Sequence, residues 1–212
     1  MINSVFIYLS IGSVLLPITI GFYCNISKNQ LTKYIFIYVV IAFISDIASF
    51  VLAKNHINNM FIFHIWGALQ ALLLTLFYRK ILANFSHFIT VVGIAYLLYY
   101  IINSSLIESI AKYNNVAMSV QAILMIMLSL LYFYKTYKEE TSIFIDRIPE
   151  FWIVIGVLIY FSGALFSFLL ATDILAQLSN RFYNSWILHN TANIIKNILF
   201  AIGLWKVRKL KA

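Results

Sequence analysis

The chain reads as an all-α, polytopic membrane protein with seven transmembrane helices, and three observations lead there. Of its 212 residues, 63% are hydrophobic and 10% charged, against about a quarter charged in an ordinary globular chain. Seven apolar runs reach the ~20 residues that a spanning helix needs. None of them alternates with the period of two, over about 10 residues, that a barrel strand shows. The connectors are short and carry turn residues, as in NISKNQ, KNHINN, NSS and KEETS.

The first span, roughly Ser4–Tyr23, lacks the basic n-region and A-x-A cleavage site of a signal peptide. It is therefore expected to remain as a helix, kinked at Pro17. Cys24, where this run ends, is the single cysteine, which excludes an internal disulfide and a cysteine-based metal cluster. The remaining spans are Tyr34–Ala53, Met60–Tyr78, Phe85–Ile102, Val116–Tyr134, Phe151–Ala171 and Tyr183–Trp205. Nothing is left over for a soluble domain, so residues 1–212 are expected to form one transmembrane domain.

Basic residues orient the spans. One set of alternate ends holds Lys28, Lys33, Arg79, Lys80, Lys135, Lys138, Arg147, Lys206, Arg208, Lys209 and Lys211. The other holds Lys54, Lys112 and Arg181. Eleven against three places the C-terminus in the cytoplasm and the N-terminus outside, as in a multi-pass protein of a bacterial inner membrane. The formal net charge of +8 does not signal nucleic-acid binding, because the basic residues lie in short connectors and form no continuous polar patch. The connector KTYKEETSIFIDRIPE, residues 135–150, holds four of the seven acids. It reads as a solvated loop ending at Pro149, or as a docking site for a cytoplasmic partner.

The second and sixth spans echo each other. FISDIASFVLAK (43–54) and FSGALFSFLLAT (161–172) match without gaps at Phe43/Phe161, Ser49/Ser167, Phe50/Phe168, Leu52/Leu170 and Ala53/Ala171. The following spans carry His64 and His189 near their outer ends. The arrangement this predicts is a parallel repeat of residues 1–80 and 113–212 joined by a linker helix at 85–102. In such repeats a site forms near the midplane between the halves.

The last span contains WILHNTANIIKNILF, residues 186–200. At 100° per residue, His189, Asn190, Asn193, Lys196 and Asn197 fall within about 120° of arc. A one-sided polar stripe is expected to face the bundle interior, because lipid offers no hydrogen-bond partners. Asp46 and Lys196 are the two deep charges, roughly 10 and 20 Å from the outer ends of their helices. They are expected to share one network, directly or through Asn193 or water. The candidate cavity comprises Asp46, His64, Gln70, His189, Asn190, Asn193 and Lys196, with Trp66, Gln121 and Tyr160 as companions. Gln70, Gln121 and Asn197 also read as interhelical packing groups. Two histidines and Asp46 lack the spacing of a metal site, and no metal or cofactor is expected.

Four functions compete. The seven-helix, three-plus-one-plus-three plan resembles the SWEET and PQ-loop carriers, although the chain has no Pro-Gln pair; that resemblance implies a cavity for a small solute or signal, in a transporter or receptor. Lys196 in the last span resembles the retinal lysine of microbial rhodopsins, and implies a photoreceptor. Ala192 stands where that family has an aspartate four residues before the lysine, and Gln70 stands in the third span in place of a carboxylate. FISDI with His64, and GALFSFLLATD, resemble YhhN-type lysoplasmalogenases. That implies an intramembrane lipid hydrolase using Asp46 and Asp173 with His64, two carboxylates and a histidine suiting general acid–base chemistry. Finally, FWIVIGVLIYFSG and WILHNTANIIKNILFAIGLW resemble small seven-helix membrane proteins of Bacteroidota, which implies the fold, no particular chemistry, and room for a ligand-free membrane subunit. Soluble-enzyme motifs such as G-x-S-x-G, the Walker loop and H-E-x-x-H do not occur.

Overall fold

A computed structural model describes residues 2–24, 30–139, 144–169 and 180–209. Among them the secondary structure is helical, without strands. Seven helical stretches are long and apolar enough to cross a membrane, which makes a multi-pass membrane protein the natural reading of the fold. The first of these is two helices, α1 (Ile2–Ser13) and α2 (Leu15–Tyr23). Proline crowds the carbonyl four residues earlier and offers no N–H to it. From Pro17 that carbonyl belongs to Ser13, and the helix breaks next to it, at Val14.

The next helices are α3 (Gln30–Lys54), α4 (Met60–Ile81), α5 (Ser86–Ile102), α6 (Asn115–Lys138), α7 (Pro149–Leu169) and α8 (Asn180–Lys209). Most outrun their apolar stretches. Hydropathy marks the lipid-soluble part of a helix, whereas the hydrogen-bonded backbone continues into polar flanks. Arg79 and Lys80 close α4, and Lys135 and Lys138 close α6, where cations complement the helix dipole. The first turn of the 135–150 connector is therefore helix. Pro149 begins α7, as suits a residue without an N–H. After α3 the chain turns through His56 at φ 57°. The Ile57 amide returns to the Leu52 carbonyl at 3.0 Å and the His56 amide to Ala53 at 3.1 Å, a Schellman cap.

The helices close a ring. Helices α1 and α2 pack on α8, α8 on α7, α7 on α6, α6 on α4, α4 on α3, and α3 back on α2. Helix α5 lies outside the ring against α4, and its Tyr96 hydroxyl reaches the Ala117 carbonyl of α6 at 2.9 Å. The α7–α8 seam is close because small residues line it. A Cβ at Gly163 would stand 2.9 Å from the Cβ of Ala192, so nothing larger than glycine fits there without a shift.

The starts of α1, α4, α6 and α8 share one end, here termed the upper end. The half toward the other end is a packed apolar core in which Ile35, Leu74, Phe77, Ile153 and Phe200 are fully buried. Outward faces carry exposed Phe88, Leu98, Met127 and Phe166, as lipid-facing surfaces do.

Candidate functional site

Between α1, α3, α4, α7 and α8, a cavity of about 220 Å³ descends from the upper end to Tyr38 and Lys196. Its walls follow from helical period. On α3, Tyr38, Ala42, Asp46, Ser49 and Ala53 recur every three or four residues, one face of one helix. On α8 the lining groups are His189, Asn190, Asn193 and Lys196. The stripe in the last span does face the interior, while Leu188, Ile195 and Ile198 are exposed.

The ammonium of Lys196, a residue only 4% exposed, donates to Asn193 Oδ1 at 2.6 Å and to the Tyr38 hydroxyl at 3.3 Å. It also stands 4.3 Å from the centre of the Tyr160 ring, within cation–π range. Asn193 in turn donates to Ser10 of α1 at 2.8 Å. Asn197, one turn on, donates to Ser13 at 2.8 Å and so ties α8 to α1. His189 is wedged edge-on between Tyr160 and Phe168, with ring centres 5.5 and 5.7 Å away.

Asp46 lies half-buried on the opposite wall. No ion pair joins it to Lys196; among the described residues the ion pairs lie elsewhere, Lys135–Glu139 at 3.8 Å and Lys206–Asp146 at 3.7 Å. The two deep charges line one cavity without touching, and they attract each other across it. What Lys196 touches directly is neutral.

Two residues of the candidate set stand apart from the lining. His64, on α4, turns toward α5 and the segment before α6. Its Nδ1 lies 2.9 Å from Ser104 Oγ and its Nε2 3.0 Å from the Lys112 carbonyl, so both ring nitrogens are engaged. Gln70 lies deeper on α4, where its amide donates to Tyr38 at 2.9 Å and its carbonyl accepts from Gln121 at 3.2 Å. The hydroxyl of Tyr96 completes this chain 3.3 Å from Gln121 Oε1.

These placements bear on the competing chemistries. His64 does not line the cavity that Asp46 lines, and Asp173 lies outside the described residues, so the hydrolytic constellation is not assembled among those described. Ala192, the position of the rhodopsin aspartate, is committed to the α7 seam. No group of three or more His, Cys, Asp or Glu side chains that could hold a metal occurs among the described residues.

Tyr38 and Ser10 are site residues that the sequence reading did not single out. Stepping back four and eight residues from Asp46 along one helix face gives Ala42 and Tyr38. Ser10 and Ser13, one turn apart in the first span, are the polar counterpart of the asparagines on α8. Compared with known proteins, the chain matches no family model, no curated protein and no solved structure, and its site is read from its own geometry.

Proposed function

We propose that this integral membrane protein admits a small polar solute or signal into the cavity from the outer face, as a transporter or receptor. One observation carries the reading: Asp46 and Lys196, of opposite charge, line a single cavity without pairing. A charge at the centre of a membrane helix costs roughly 2.5–3.5 kcal/mol. Direct pairing would recover more of that cost than attraction across the cavity does, and the chain forgoes it. A site that awaits a ligand accounts for this. A structural ion pair does not.

Basic-residue asymmetry supports an outward-facing mouth, because the sparsely charged end is also the upper end. The ring order supports the parallel repeat. It runs α1/α2, α3, α4 and then α6, α7, α8, with α5 set outside as a linker. Phe50 and Phe168, equivalent in the sequence echo, both line the cavity, as do Ala42 and Tyr160 at the same offset.

The test uses a single reporter thiol, Ser49→Cys in a Cys24→Ser background, in cells treated with a membrane-impermeant maleimide. Labelling from outside is expected. A solute fraction of the cell's own metabolites should slow that labelling, and Ala42→Phe, which fills the cavity, should remove the protection. Labelling only after the cells are opened would overturn the orientation. Protection by no solute fraction would leave the ligand-free subunit as the better reading.

A further inference from the structure

The cavity is charged twice, with opposite signs on opposite walls. Lys196 has three ammonium hydrogens, and its partners Asn193 and Tyr38 account for two. The ammonium also faces the Tyr160 ring at 4.3 Å, and Asn190 lines the same cavity. Asp46 lines the same space, with Ser49 one helical turn away. Trp66, Tyr160 and Phe168 supply aromatic wall between them.

A singly charged solute suits this site poorly. An anion would pair with Lys196 but share a small volume with Asp46, and a cation would face the reverse problem. Like charges brought together cost several kcal/mol. A neutral solute would displace water from both charges and satisfy neither. A solute carrying both signs completes both walls at once.

Size narrows the class. An apolar cavity of roughly 150 Å³ holds benzene; by proportion, about 220 Å³ suits roughly nine non-hydrogen atoms. We infer that the cavity is built for a zwitterion of amino-acid size, its cationic group at Asp46, its anionic group at Lys196 and Asn190, and its apolar part against the aromatic wall. This rests on the solute-binding reading above and names the substrate class of the same site.

The test is thermal unfolding of the purified full chain in detergent with matched solutes. The panel is the free neutral amino acids from glycine to methionine. Each is run beside the amine that lacks its carboxylate and the acid that lacks its amine; for leucine these are isopentylamine and 4-methylpentanoate. At least one zwitterion is expected to raise Tm by roughly 5–10 °C at a hundredfold excess over its Kd. Its two truncated partners should raise it by no more than about a fifth of that. Asp46→Asn and Lys196→Met should each abolish the response, and the analogue series decides the matter on the unaltered chain if either variant fails to fold. An amine, acid or neutral solute that stabilises as strongly as its zwitterion would overturn the inference while leaving a solute site standing. No shift from any panel member, together with unprotected Ser49→Cys, would overturn both.

Discussion

On one side of Tyr38, Gln70, Gln121 and Tyr96 pass hydrogen bonds from α3 to α4, α6 and α5, and each polar group is used by the next. On the other side, Asp46 and Lys196 face each other across a cavity, and the charged pair is left unmade. The first region is neutral and closed. The second is charged and open. Hydrogen-bonded amides between membrane helices act as packing glue, worth about 0.6–2 kcal/mol each. The two charges lack the direct contact that would make them such glue. The histidines repeat the contrast: His64 has both ring nitrogens engaged away from the cavity, whereas His189 forms part of its wall.

Mutation can break this contrast most severely in the closed region. Gln70→Leu removes a donor to Tyr38 and the acceptor for Gln121, leaving the buried Gln121 amide unsatisfied and Tyr38 with Lys196 as its remaining partner. We expect a loss of roughly 2 kcal/mol in thermal or denaturant unfolding in detergent. The Gln70→Leu/Gln121→Leu double change should lose clearly less than the sum, since apolar groups replacing both partners can be nearly neutral. Additive losses there would show that the amide chain is not a unit.

A smaller effect is expected at His64. His64→Phe strands the Ser104 hydroxyl and the Lys112 carbonyl near the upper end, where water can reach them in part, and should cost about 1 kcal/mol. The solute protection of Ser49→Cys should survive, because His64 does not line the cavity. Lost protection with stability intact would move His64 into the site and blur the comparison.

The smallest effect is the coupling between Asp46 and Lys196 in the empty protein. Each change alone shifts stability, and because the two charges attract across the cavity without touching, the sum of Asp46→Asn and Lys196→Met should differ from the double by only about 0.5 kcal/mol, the low end for interacting groups. A double variant more stable than either single one would reveal a water-bridged pair. The charged region would then be closed like the neutral one, and the case for a waiting ligand would fall.

Much of this was legible along the chain. Apolar length marked the seven spans, and the 3.6-residue period marked the polar face of α8. Helix ends were less legible: α6 continues to Lys138 and α8 to Lys209, because backbone hydrogen bonding does not stop where hydropathy falls. The cavity was legible in part. Asp46, His189, Asn190, Asn193 and Lys196 do meet there. His64 lies 100° around α4 from the lining Phe63, and this rotation turns it toward α5. Gln70 shares the lining face but lies deeper, where the Tyr38 hydroxyl takes it up.

By itself, then, the sequence determined that the chain is a bundle of membrane-length helices, which end is richer in positive charge, and which face of the last helix must avoid lipid. These are properties of one helix at a time, set by apolar length, charge and period. Only the tertiary structure decided that α1 rather than α3 binds the asparagines of α8, that α5 stands outside the ring, and that Lys196 meets Asn193 and Tyr38 while Asp46 stays across the cavity. Those outcomes depend on which helices become neighbours and how each is rotated. Packing over the whole bundle sets that rotation, and no single span encodes it.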